Sequence, residues 1–110
     1  MLSKKNYQIV GVTFENRQEF LSDFYKKYKV GGKYGVLLER EDDNLYDKNA
    51  IVVAITDLNS STLNKVGYIS KNDNVELRKK FDNIITARLL SIGPNYKGDI
   101  GLTIEVAFEE

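Results

Sequence analysis

The chain has no cysteine and no histidine. Without cysteine there can be no disulfides, thiolate metal sites or cysteine nucleophiles. Without histidine the usual general base, most zinc sites and every His-dependent triad are gone. An excess of one charge is missing too: Lys+Arg and Asp+Glu both number 16, for a formal net charge of zero. A chain so balanced is not a general coat for polyanions, so any nucleic acid must be met by a local patch or pocket. No segment is apolar for long enough to span a bilayer. The start, Met1 to Asn6, has two lysines with no signal-peptide core behind them. These absences point to the cytoplasm and away from a membrane partner.

What remains is ordinary globular material. With 110 residues, 42% hydrophobic and 29% charged, residues 1–110 read as one domain able to bury a core without staples. Tyr7 to Phe14 is rich in β-branched and aromatic residues and predicts a first strand. Asn16 with Glu19 approximates a capping box. Phe20, Phe24 and Tyr28 then draw one apolar stripe on a helix ending at Gly31-Gly32. Tyr34–Arg40 predicts a second strand, with Tyr34, Val36 and Leu38 on one face. Glu41 to Asn49 is full of Asx turn formers. Ala50–Ile55 is almost continuously apolar and predicts a central strand. Asp57–Asn64 reads as a turn and Val66–Ile69 as a fourth strand. Ser70 caps a second helix holding Leu77 and Phe81, which Asp82-Asn83 stop. Ile84–Ile92 is a long strand, Gly93–Asp99 a loop with the single proline, and Leu102 to Phe108 a last strand with one buried face.

The order is β-α-β-β-β-α-β-β. Short connections between strands argue for a mainly β (α+β) fold: a curled antiparallel sheet or small barrel of about six strands, with two helices as plugs or covers. No repeat, linker or low-complexity segment interrupts it.

Taken by residue chemistry alone, most notable positions have plain roles. Asn49 holds the loop backbone before its strand. Tyr46 is a core aromatic closing the loop or a ligand contact. Asp47 is an Asx-turn residue or a ligand contact, Phe14 a core aromatic or a stacking platform. Gly67 serves close packing. The acidic cluster Glu39, Glu41, Asp42, Asp43 and Asp47 is a solvated loop face, since it lacks the spaced ligands and glycine of a calcium loop. Lys26, Lys27 and Lys29, like Arg78-Lys79-Lys80, are solvated helix faces or a path for a nucleic-acid backbone. Gly31-Gly32-Lys33 is too short for a phosphate loop and has no Ser/Thr after its lysine.

One combination is more distinctive. Arg40-Glu41 ends a strand, Asn44-Leu45-Tyr46-Asp47-Lys48-Asn49-Ala50-Ile51 leads into the next, and Val66-Gly67-Tyr68-Ile69 follows downstream. This pattern resembles the HIRAN domain family, with element order matching from about Ile9 to Phe108. The resemblance implies an OB-like β-barrel that binds DNA, needs no cofactor or metal and performs no catalysis. Members that remodel stalled replication forks bind the 3′ end of single-stranded DNA; standalone or differently fused bacterial and phage versions, of which this chain looks like a standalone one, are assigned to DNA processing, within larger complexes or alone. By position, Tyr46 and Asp47 match the pair that cradles the terminal nucleotide and its 3′-hydroxyl. Asn44 matches a residue that reads a base edge or holds the loop, Phe14 a stacking aromatic, and Lys71 a phosphate contact. Tyr68 stands where the DNA-binding members have histidine. An ionised Asp47 accepts a hydrogen bond from a free 3′-hydroxyl and repels a 3′-phosphate.

The chain also departs from the pattern. Asp43 replaces a second asparagine, Leu45 a common proline and Thr13 an arginine, and Glu15–Tyr34 is longer than in compact members. One phosphate contact is lost and a negative charge is added at the pocket mouth. Two other functions stay open: a protein-interaction module of the same fold, and a metal-dependent enzyme built on the acidic cluster.

Overall fold

The computed structural model describes residues 1–29, 33–58 and 62–110. In chain order these form β1 (Leu2–Gln8), α1 (Arg17–Lys29), β2 (Tyr34–Arg40), β3 (Ile51–Asp57), β4 (Thr62–Tyr68), α2 (Lys71–Lys79), a 3-10 turn (Phe81–Asn83), β5 (Ile84–Pro94) and β6 (Ile100–Glu109). The expected order of elements stands. The strands make two three-stranded antiparallel sheets, β1-β6-β5 and β2-β3-β4.

The middle strand of each sheet explains its sequence. β3 is buried at Ile51, Val52, Val53, Ala54 and Ile55 in succession, because both its faces are covered. β6 alternates: Leu102, Ile104, Val106 and Phe108 face inward, as a strand with one core face should. One apolar cluster takes Ile51, Val53 and Ile55 of β3 and these four β6 residues together with Val36, Val66 and Leu89, with Leu21 and Phe24 of α1, and with Leu77 of α2. The aromatic stripe of α1 seats on β2: Phe24 and Tyr28 each meet the Tyr34 ring edge-on at 5.5 Å.

Closure into the expected barrel is not seen: among the described residues the six strands do not close on themselves, and β1, β5, β2 and β4 remain sheet edges. The sheets are seamed where the chain leaves β1. The Ile9 N–H donates to the Leu102 carbonyl in the first sheet. The next residue, Val10, exchanges two 2.9 Å backbone bonds with Tyr68 in the second. Gly67 lies against this seam. A Cβ there would meet the Val10 carbonyl oxygen and stand 2.6 Å from Ile9 Cγ2, so only glycine fits.

The first strand is also displaced. It runs over Leu2–Gln8 rather than Tyr7–Phe14. Its polar residues are drawn into pairing with β6 in register Tyr7↔Ile104. Gly11, at φ 73, turns the chain before Phe14 can join a strand. Asn16 adopts φ 61, and its carbonyl, not a capping amide, receives the Glu19 N–H at 3.1 Å. Ser70 caps α2 as expected, accepting the Asn72 N–H at 3.2 Å. β4 starts earlier, at Thr62, and β5 keeps Gly93 and Pro94 paired with β6. The helix stop at Gly31-Gly32 and part of the expected Asp57–Asn64 turn lie outside the described residues. No described helix is long and apolar enough to cross a membrane.

Candidate functional site

A cleft of about 910 Å³ opens beside the seam. Its lining comes from four separated stretches: the turn after β1, the loop between β2 and β3, the end of β4 and the start of α2. Phe14, Asn44, Tyr46, Asp47, Tyr68 and Lys71 all line it. The structure therefore brings together every site residue expected from the sequence.

The β2–β3 loop is built by its own side chains. Asn44 Oδ1 accepts the backbone N–H groups of Tyr46 and Asp47 at 2.8 and 2.9 Å. Asn44 Nδ2 donates to Glu41 at 2.9 Å. Of the two roles open to Asn44, the visible one is holding the loop; its amide oxygen is already engaged there. Asp47 repeats the device, Oδ1 accepting the Asn49 N–H at 2.9 Å. Asn49 contributes backbone here, its carbonyl accepting from Arg78 Nε at 2.9 Å.

This geometry settles the state of Asp47. The Asn49 N–H and the Asn74 amide (2.8 Å to Oδ2) hold its carboxyl below the usual range, aided by the nearby Lys71 and Arg78 charges and opposed by partial burial. It is an anion at neutral pH. A carboxylate offers about four acceptor positions, so one protein bond on each oxygen leaves room for a ligand hydroxyl.

Tyr46 is 92% exposed and Phe14 66%. Neither is a core residue, so that alternative falls for both. Leu45, equally bare, stands beside Tyr46 on the rim. The ring of Tyr68 floors the cleft; its hydroxyl donates to Glu41 Oε1 at 2.6 Å. That bond leads in lowering the Glu41 pKa. Lys65 sits 3.4 Å from Glu41 Oε2 and donates to the Tyr68 oxygen at 3.3 Å. Burial alone would lower Lys65, but these two partners outweigh it and raise its pKa. Lys71, the first residue of α2, is exposed and also lines the cleft.

Three polar residues that sequence reasoning missed hold this site. Asn74 is 2% exposed and aims its amide at Asp47. Its signal was slight: an asparagine one helical turn before the buried Leu77. Arg78 clamps the far end of the loop, bonding the carbonyls of Asn49 and Ala50 at 2.9 Å each and Asp42 Oδ1 at 2.8 Å. It is a loop anchor and not a solvated face. Arg17 is the third. Only 6% exposed, it lines the cleft, donates from Nη1 to the Gly11 carbonyl at 2.6 Å and from Nη2 to Glu15 at 3.1 Å, and lies 5.3 Å over the Tyr68 ring. Its Nε–H is buried with no acceptor, a state that costs about 1–3 kcal/mol. No sequence pattern marks Arg17, since its anchor is a backbone carbonyl.

The acidic loop does not gather. Asp42 turns to Arg78, Glu41 to Tyr68 and Asp47 to Asn74. Among the described residues no three acidic side chains converge as a cation site. Comparisons with protein-family models, with curated proteins and with solved structures return no match. The chemistry of this cleft rests on its own geometry.

Proposed function

We propose that the cleft binds single-stranded DNA and takes a free 3′-hydroxyl end, as a HIRAN-type module in DNA repair or replication-fork processing. On this view the two seamed sheets are an opened variant of an OB-like barrel, and the protein acts in the cytoplasm by binding, without catalysis. One observation supports it above the rest: two exposed aromatic side chains, Phe14 and Tyr46, line one cleft together with an ionised, pre-positioned Asp47. Aromatic faces stack bases of any sequence. The carboxylate accepts from a terminal hydroxyl and repels a terminal phosphate. Lys71 supplies positive charge at the cleft, beside the Lys65–Glu41 pair, without making the whole surface basic.

Fluorescence anisotropy tests this with one oligonucleotide ending in 3′-hydroxyl or 3′-phosphate. The hydroxyl form should bind more tightly, and both should weaken as salt rises. Tyr46→Ala should leave the melting temperature alone, since that side chain is 92% exposed, and cost about 1–3 kcal/mol of binding. Equal binding to both ends would remove Asp47 as the end sensor. The bare Leu45 and Tyr46 also support a second function, docking of a protein segment. Salt separates the two, because an apolar contact lacks the steep dependence of phosphate binding.

A further inference from the structure

We propose that Arg17 is a phosphate subsite of the cleft, with Glu15 holding the place until a phosphate group displaces it. A guanidinium presents Nε–H and one Nη N–H side by side, spaced for two oxygens of one anion. In Arg17 that edge is half filled. Nη2 meets a single oxygen of Glu15 at 3.1 Å, and Nε–H has no acceptor. The other side of the group is spent: Nη1 is fixed on the Gly11 carbonyl at 2.6 Å. The cation is therefore held rigidly in the cleft wall, against the Tyr68 ring.

The occupant is poorly suited to stay. Glu15 is 71% exposed at its side chain, so water competes for its half of the pair with the buried Arg17. It also sits at φ 55, a left-handed conformation that side-chain-bearing residues avoid. A tetrahedral phosphate brings a second oxygen for Nε–H, which the carboxylate leaves unmet. The other two engaged carboxylates of the cleft do not compete for Arg17. Glu41 is engaged by Tyr68, Asn44 and Lys65, and Asp47 by Asn49 and Asn74. This subsite deepens the DNA-binding function above, on which the source of its phosphate, a strand backbone, rests.

Glu15→Gly is the decisive variant. It removes the stand-in carboxylate, and glycine suits the positive φ at this position. Its affinity for a 3′-hydroxyl single strand should rise about two-fold or more over wild type, since no carboxylate then has to be displaced from the buried guanidinium. A strand made of uncharged methylphosphonates should lose that gain. Inorganic pyrophosphate should raise the melting temperature of Glu15→Gly more than that of wild type. Strand binding without any gain in Glu15→Gly, and without any pyrophosphate shift, would overturn the subsite while leaving DNA binding intact. A pyrophosphate shift that is larger in Glu15→Gly, without strand binding in either protein, would keep the subsite and overturn the nucleic acid as its source.

Discussion

Replacing Gly67 by alanine puts the joint between the two sheets to the test. The new Cβ would press on the Val10 carbonyl oxygen and stand 2.6 Å from Ile9 Cγ2. Backbone cannot swing aside as a long side chain can, so Val10 must retreat from β4. The first loss is the pair of 2.9 Å bonds between Val10 and Tyr68. At about 0.5–1.5 kcal/mol each, they contribute about 1–3 kcal/mol. Crowding of the buried Ile9 adds about 1–2 kcal/mol more. The sum, about 2–5 kcal/mol, is a large part of a typical domain's stability. Urea unfolding should show the midpoint falling with the slope unchanged. Heating should show a drop of about 8–20 °C, at about 4 °C per kcal/mol for a chain of this size. Tyr68 floors the cleft, so strand binding should weaken as well. An unfolding free energy within about 0.5 kcal/mol of wild type, the spread of ordinary surface substitutions, would show that the seam does not join the sheets as described.

Two further outcomes follow from the loop. Asn74→Ala removes the buried amide from Asp47 Oδ2; stability should fall by about 1–2 kcal/mol, and binding of a 3′-hydroxyl strand should fall more than that of a 3′-phosphate strand, as titrations of both would report. Acid should destabilise the fold through Asp47 and Glu41, whose carboxyls are held below their ordinary values. In the window from those lowered values up to about pH 4.5 the unfolded chain binds more protons than the folded one, so stability rises with pH there and is level above it. Urea midpoints between pH 2.5 and 7 should show the decline on the acid side, and Asp47→Asn with Glu41→Gln should flatten it.

The order of elements along the chain and the cores of α1, β3 and β6 were legible because apolar spacing is a local signal. The loop at Asn44 was legible for the same reason, since asparagine and aspartate fold their own backbone. Leu2–Gln8 was not, because a polar edge strand owes its conformation to pairing with β6 and not to its own residues. The stretch from Val10 to Phe14 looked extended, but Gly11 turns it, and the pull toward Tyr68 comes from a strand far away in sequence. Openness of the sheets was equally hidden: alternation tells which face is buried and nothing about which edges meet. Arg17, Asn74 and Arg78 were missed because their partners are carbonyls or a distant carboxylate, which leave no mark on spacing.

The self-bonded loop between β2 and β3 has a consequence for the rate and strength of capture. Fixing a free backbone costs about 1–2 kcal/mol per residue in entropy. Here Asn44, Asp47 and the Arg78 clamp settle that cost during folding. A partner entering the cleft meets a finished shape and has little loop disorder to quench. Encounter should then proceed close to rigid-body docking, without a slow ordering step, and differences between ligands should show in how long each one stays.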